Sequence, residues 1–455
     1  MSIHIKTPRS IVAHTTGAAG HRESGANRIT ATPPTTSGTN VAPSPAPLRA
    51  QTQTHSGGKT LMSIGQLAIL TVVAVASLRS LPAMADYGLA SVLLYLIPAV
   101  FFLVPTALVS AELATGWKGG VYVWVREAFG NRAGFVAIWL QWIQNAVWYP
   151  IQISFIAVSL SYVFGSGSLG NNGVYVAVVI IVLYWISTLV ALRGGNLFAK
   201  VGSICGLIGT LLPAALLIIL GIVWLCAGEP MHTSLHASAL LPPWTGISSI
   251  VLIVSNVLAY AGMEVNAVHA NDMKDPGREF PRATVLSTVL ILLVLMLPTL
   301  SIAFAVPHRE LGLIDGINLA FKEFFDHFGM DWGVPVISLL IALGAFSSVI
   351  TWIAGPSRGL LAAARTGLMP PMLQKRNAAG VQEGILLAQG VIVTILALLF
   401  VLIPNGNTAF ATLVDMATAL YLIMYMMMFA AAIRLRISHP EVVRTYRVPA
   451  LNWIA

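Results

Sequence analysis

Ten apolar stretches dominate this chain and leave it few ways to fold. They lie near residues 62–85, 89–113, 134–164, 174–192, 202–226, 247–271, 283–306, 333–363, 384–403 and 408–433. Each is long enough, at roughly 20 residues, to cross about 30 Å of hydrocarbon as a helix. Several are longer, so tilts and breaks are expected. In lipid every backbone N–H and C=O must find its partner within the protein, which makes the stretches α-helices. The short alternating segments of a membrane barrel are not seen. Composition agrees: 56% of residues are hydrophobic and 9% charged, against about 25% charged in soluble domains.

The basic residues predict an orientation. With the N-terminus inside, sixteen Lys and Arg fall on inner loops and span ends, and two, Arg309 and Lys322, on outer loops. The tail holds six more, and Arg79 lies within the first span. Such a bias is the pattern of an inner-membrane, multi-pass protein with a cytoplasmic N-terminus. It also accounts for the net charge of +8 without nucleic acid.

Residues 1–58 are rich in Thr, Ser, Pro, Gly and Ala and hold no Phe, Trp or Tyr. They are expected to be a disordered, solvated tail, ahead of a membrane core over 59–455. The two cysteines, Cys205 and Cys226, fall in the fifth span, about 31 Å apart along a helix, too far to pair. They read as small apolar residues. No metal-spaced cluster, phosphate-cradling loop or nucleophile–base arrangement is present, so no enzyme, cofactor or metal is expected.

Ten spans with little soluble mass suggest a transporter, a channel or a receptor. One large transporter class is built from two inverted five-helix repeats, each with a first helix broken at mid-membrane. Spans 1 and 6 hold the corresponding positions, and both are interrupted. "VAVASLRSLPAMADYG" (73–88) carries Ser77, Arg79, Ser80 and Pro82, and 260–269 carries Tyr260, Gly262, Glu264, Asn266 and His269.

"YAGMEVNAVHANDMKDPGREFPRA" (260–283) resembles the sixth-helix motif of the amino acid–polyamine–organocation (APC) transporter superfamily. "GGVYVWVREAFG" (119–130) is similar to its loop between helices 2 and 3, and "TWIAGPSRGLLAAARTGLMP" (351–370) to its eighth helix. "HANDMKDPGREFP", "WIAGPSRG" and "HPEVVRTYRVP" resemble bacterial glutamate/γ-aminobutyrate (GABA) antiporters in particular. The likeness spans roughly 62–450. It implies an all-α polytopic membrane protein with the five-plus-five inverted-repeat (LeuT-like) fold and broken helices 1 and 6. Two further helices are usual, and the chain ends at "VPALNWIA", about where an eleventh would begin. A truncated product or a fragment is therefore expected, without the antiporters' C-terminal plug.

The resemblance assigns the amino acid's α-carboxylate and α-amino groups to the backbone around the two breaks. Here these are Val75, Ala76 and Ser77, and Tyr260, Ala261, Gly262 and Met263. Freed N–H groups suit a carboxylate and freed carbonyls an ammonium. Many members have glycines where this chain has Val-Ala-Ser. Glu264 is the candidate for proton coupling, since a carboxyl at mid-membrane normally faces a cavity or a partner. The alternative is a structural carboxyl bonded to unwound backbone. Arg79 has three readings: a fork for an acidic substrate, a side chain snorkelling outward near Asp86, or a partner of Asp415, which reads as buried. His269 reads as a packed side chain.

In span 8, Ser347, Ser348 and Trp352 fall on a pocket wall, and Ser348 stands where the antiporter pattern has a glutamate. Trp148 and Tyr149 read as packing aromatics. Arg278, Arg282 and Arg358 read as loop positions locking the inner face rather than binding residues.

The expected activity is antiport of glutamate for GABA or a related amino acid by alternating access, helices 1, 2, 6 and 7 rocking against the rest. The alternative is proton-coupled uptake of a neutral amino acid. A transport-dead amino acid sensor and a channel remain as further readings, and protons and a second copy in a homodimer as possible partners.

Overall fold

The computed structural model describes residues 62–193, 196–242, 257–265, 273–307, 312–449 and 451. The expected tail over 1–58 and His269 lie outside them. Among the described residues, eight helices are long and apolar enough to cross a membrane, or nine if one bent pair counts as a single span.

That pair is the first expected span. Helix α1 (Ile64–Val75) starts in a capping box: the Ser63 hydroxyl accepts from Gln66 N–H at 3.2 Å and the Gln66 amide from Ser63 N–H at 2.9 Å, closing two backbone donors. The helix stops at Ala76, and after a 3₁₀ turn (Leu78–Ser80) α2 (Leu81–Ala85) resumes with Pro82 in its first turn. The two halves are bent by 46°. Pro fits there because its missing N–H has no intrahelical acceptor to reach.

The next spans follow: α3 (Gly88–Gly116), then α5 (Asn131–Val163), α6 (Gly173–Leu192) and α7 (Asn196–Ala227). Between α3 and α5 lies α4 (Val121–Phe129), a short helix not expected from the apolar runs; Gly130, at φ +90°, turns the chain from it into α5. Cys205 is half-buried and Cys226 exposed on α7. Of the sixth expected span, 257–265 is described, and it is not a regular helix: a 3₁₀ turn (Val257–Tyr260) runs into a turn over 261–265.

Helix α8 (Pro276–Ala305) begins seven residues before the expected 283. The Glu279 carboxylate accepts from the N–H groups of Lys274 and Asp275 at 3.2 and 3.4 Å, and Pro276 occupies the first turn. Arg278 and Arg282 therefore lie on this helix, and Arg358 on α10, rather than in loops; all three are exposed. An unexpected short helix, α9 (Gly316–His327), precedes α10 (Gly333–Ala363). Then come α11 (Glu383–Leu402) and α12 (Gly406–Ser438).

Two groups of helices result. In one, α1, α2 and α3 pack on α8. In the other, α10 packs against both α5 and α7, with α6, α11 and α12 against α5; α7 also packs on α8 and so joins the two groups. Helices α7 and α10 cross at Gly209 and Gly344, where a Cβ on Gly209 would sit 2.4 Å from Gly344 backbone, so only small residues allow this approach.

Beyond α12, residues 439–448 fold back as a strap onto the end of α3. Glu112, buried in α3, accepts from Arg436 Nε at 2.8 Å and Nη2 at 2.5 Å and from Val448 N–H at 2.8 Å. Arg444 lies 3.7 Å from the same carboxylate and 4.8 Å from the Trp117 ring.

Candidate functional site

The break in the first span is where the backbone becomes available. Ala76 (φ −67°, ψ 117°) and Ser77 (φ −117°, ψ 120°) are extended, so the helix ends around them leave groups outside the regular ladder. A cavity of about 40 Å³ lies against this break, room for a few water molecules. Val73 to Ser77 and Arg79 form one wall, Leu258 and Ala261 of the interrupted sixth span another. Gln144, Asn145, Trp148 and Gln152 of α5, Ser348 and Trp352 of α10, and Tyr421 of α12 complete it.

The structure thus brings together Val75, Ala76, Ser77, Arg79, Ala261, Ser348 and Trp352. Tyr260, Gly262 and Met263 do not line the cavity. Tyr260 is fully buried and its hydroxyl donates to the Tyr95 carbonyl at 3.0 Å. Gly262 sits behind Trp352 at φ +114°; a Cβ there would meet the indole at 3.1 Å, a conformation and a space that both favour glycine. Met263 is buried, and Ser347 faces the neighbouring cavity described below.

Glu264 is buried and stands off the cavity wall. Its Oε1 accepts from Tyr421 Oη at 2.6 Å and Gln141 Nε2 at 3.0 Å, and its Oε2 from Tyr425 Oη at 2.6 Å. The Tyr425 oxygen in turn accepts from Gly262 N–H at 3.0 Å. Glu264 therefore ties the sixth-span turn to α5 and α12, and reaches the cavity through Tyr421.

Arg79 is only 6% exposed, which overturns the snorkelling reading. Its guanidinium lies 5.6 Å from the Phe410 ring, and its Nε has no hydrogen-bond partner. Asp415, expected to be buried, is exposed: the α12 face that carries it borders a cavity instead of packed helix.

Trp148, read as packing, lines the cavity beside Trp352, ring centroids 6.1 Å apart. Tyr149 does pack, fully buried, against Tyr184 at 5.0 Å. The α5 amides were not anticipated, although "QWIQNAVWYPIQIS" (141–154) carries the signal. Positions 141, 144, 145, 148 and 152 share one helical face, and four amide side chains in a membrane helix need a reason. Gln152 is buried with its Oε1 unpartnered.

Two larger cavities flank the central one. On the α2 side, about 230 Å³ is bordered by Arg79, Leu258, Phe410 and Asp415. On the α1 side, about 330 Å³ lies between Gln66, Val73, Leu207, Ser347, Ser348 and Trp352. Arg79 and Leu258 separate the first from the centre, and Val73, Ala74, Ser348 and Trp352 the second. The three follow the first span from end to end.

An amino acid permease family model matches residues 62–455. An uncharacterized transporter of Legionella pneumophila is 42% identical over 398 residues, covering 87% of this chain and 85% of that protein. A glutamate/γ-aminobutyrate antiporter of Lactococcus lactis is 32% identical, covering 84% and 77%, and a probable agmatine/putrescine antiporter of the same species 27%, covering 85% and 82%. The crystal structure of MhsT in complex with L-phenylalanine superposes with a TM-score of 0.54 at 16% identity, over 82% of this chain and 89% of that one. That likeness is one of fold, the five-plus-five inverted repeat.

Proposed function

The chain belongs to the amino acid permease family of the APC superfamily, a multi-pass membrane transporter of amino acids and not an enzyme, and from that premise we propose that it exchanges glutamate for GABA or a related amino acid by alternating access. The observation that carries this reading is Arg79: a buried guanidinium at the break in the first span, on the cavity wall, with its Nε unpartnered. A buried donor without an acceptor is costly, and a substrate side-chain carboxylate would satisfy it in fork geometry. The antiporter relative supports the same substrates. The breaks supply backbone groups for the α-carboxylate and ammonium. The helix group α1, α2, α3 and α8, with the sixth span, moves against the rest, opening one flanking cavity at a time. The site is inner-membrane, with the N-terminus cytoplasmic, on the strength of the basic-residue bias.

The second reading is proton-coupled uptake of a neutral amino acid. Ser348 favours it: an uncharged residue lines the cavity where the antiporter pattern has a glutamate.

Counter-transport decides between them. Proteoliposomes loaded with GABA, glutamate or buffer are given labelled glutamate, with Arg79→Ala alongside. Exchange predicts uptake only into amino-acid-loaded vesicles and a loss of at least about tenfold in Arg79→Ala, the scale of one charge-assisted contact. Uptake of neutral amino acids into unloaded vesicles, driven by a proton gradient, would sink the exchange reading.

A further inference from the structure

A further cavity, of about 280 Å³, lies away from the first span, at the face where α12 begins. Val158 near the end of α5, Asn171 before α6, Asp315 before α9, and Asn405 and Asn407 at the start of α12 line it. Asp315 is the only charged residue in that lining. It holds the N-cap position of α9, where an Asp ordinarily accepts from an N–H of the first turn, yet its side chain makes no such bond. The carboxylate is turned back over Gly312, where a Cβ would collide with its Oδ1. Among the described residues no Lys or Arg pairs with it; it engages its own backbone N–H, and burial raises its pKa, as for a charge left without compensation. One turn on, on the same face of α9, Asn318 is fully buried. Its Nδ2 donates to Ser159 Oγ at 3.1 Å, next to Val158, and its Oδ1 has no partner. Both groups that α9 leaves unsatisfied here are therefore oxygens, acceptors that call for a cation or a donor.

We propose that this cavity is a site for a hydrated divalent cation, Mg²⁺, held by the Asp315 carboxylate, with the amides of Asn171 and Asn407 bonding its waters. Oxygen groups without nitrogen or sulfur ligands suit a hard cation. Ca²⁺ collects about six to eight oxygens directly, whereas Mg²⁺ keeps several waters and is content with few carboxylates. A single carboxylate among amides, in a polar cavity roomy enough for water, is the second arrangement. The ion neutralises Asp315 and joins the start of α9 to the turn before α12. Leu313, two residues before Asp315, borders the cavity on the α2 side, so a bound ion also steadies the segment that walls that cavity. The site stands apart from the central one and does not depend on which amino acid is exchanged.

The test is thermal unfolding of the full chain in detergent, stripped with EDTA and titrated with MgCl₂ at constant ionic strength. Wild type is expected to gain about 2 °C in Tm by about 10 mM Mg²⁺, saturably, with a midpoint of about 1 mM, the range of weak extracellular sites. Asp315→Asn, close in shape, abolishes the gain while its Tm in EDTA stays within about 2 °C of wild type. Should Asp315→Asn fold poorly, two milder variants carry the test: Asp315→Glu keeps the gain, and Asn407→Ala raises the midpoint by about threefold. No gain in wild type beyond that from NaCl of equal ionic strength would overturn the proposal. An undiminished gain in Asp315→Asn, lost instead in Asp331→Asn at the far end of α9, would overturn it by placing the ion elsewhere. A larger gain from Ca²⁺ would overturn the hydrated ion, and a gain from GABA without one from Mg²⁺ would make the occupant an organic ammonium and overturn the metal.

Discussion

Glu264 accepts three side-chain hydrogen bonds, two of them at 2.6 Å, lengths typical of a charge-assisted contact. Each oxygen is engaged by a tyrosine, and the residue meets the cavity only through Tyr421. A carboxyl so held shapes the site through its partners. Glu264→Gln replaces one acceptor by a donor amid hydroxyls that already donate, and should cost about 1–3 kcal/mol. The expected outcome is a lowered unfolding temperature in detergent, with Tyr425→Phe lowering it less. An unchanged unfolding temperature in Glu264→Gln would refute the caging role. Gly262 belongs to the same knot: its N–H donates to the Tyr425 hydroxyl, and its positive φ leaves the indole of Trp352 close behind.

At the scale of elements, helix α5 shows what a polar stripe in a membrane span is for. Gln141 reaches Glu264, Asn145 Nδ2 donates to the Gln141 carbonyl at 2.8 Å, and Gln144, Asn145 and Gln152 face the cavity. Gln152 differs in leaving its Oε1 without a partner. Replacing such a group by an apolar one of similar shape is nearly neutral for stability. Gln152→Leu is therefore expected to raise KM for exchange by about tenfold, one lost hydrogen bond to substrate, with the unfolding temperature unchanged or higher. Unaltered exchange kinetics would remove Gln152 from the site. The break between α1 and α2 works the other way, giving up hydrogen bonds so that backbone can face the same cavity.

At the scale of the molecule, the strap over 439–448 connects both helix groups. Glu112 of α3 holds Arg436 of α12 and the N–H of Val448, and Thr445 lies against Gly277 at the start of α8, where a Cβ would meet its carbonyl oxygen at 2.6 Å. The Glu112 side chain is 2% exposed, so removing its charge leaves buried arginine uncompensated. Glu112→Gln should destabilise by about 3 kcal/mol, the lower end for breaking a buried pair, because Arg436 is 27% exposed. Glu112→Gln with Arg436→Met should recover part of that loss. A detergent melting series over the two single variants and the double checks it; an additive double variant would show that the two residues do not interact.

Much of this was legible in the chain itself. Nine of the ten expected spans appear, and the tenth is described only over the irregular turn at 257–265. The reason is local: lipid offers no hydrogen bonds, so a long apolar run has one backbone solution. The break at Ala76–Ser77 was visible for the same reason, since polar residues and Pro82 interrupt such a run. Helix starts were less legible, as at Pro276, because capping by Glu279 depends on side-chain geometry. The site was legible only in part. Arg79, Ser348 and Trp352 stood out by type, but which groups face one cavity depends on helices far apart in sequence. Glu264 meets Gln141 across 123 positions and Tyr421 across 157, and no pattern in the chain encodes those meetings. Helix and break follow from what each segment can satisfy alone; the cavity, the cage around Glu264 and the two faces of Arg79 follow from packing, which only the tertiary structure decides.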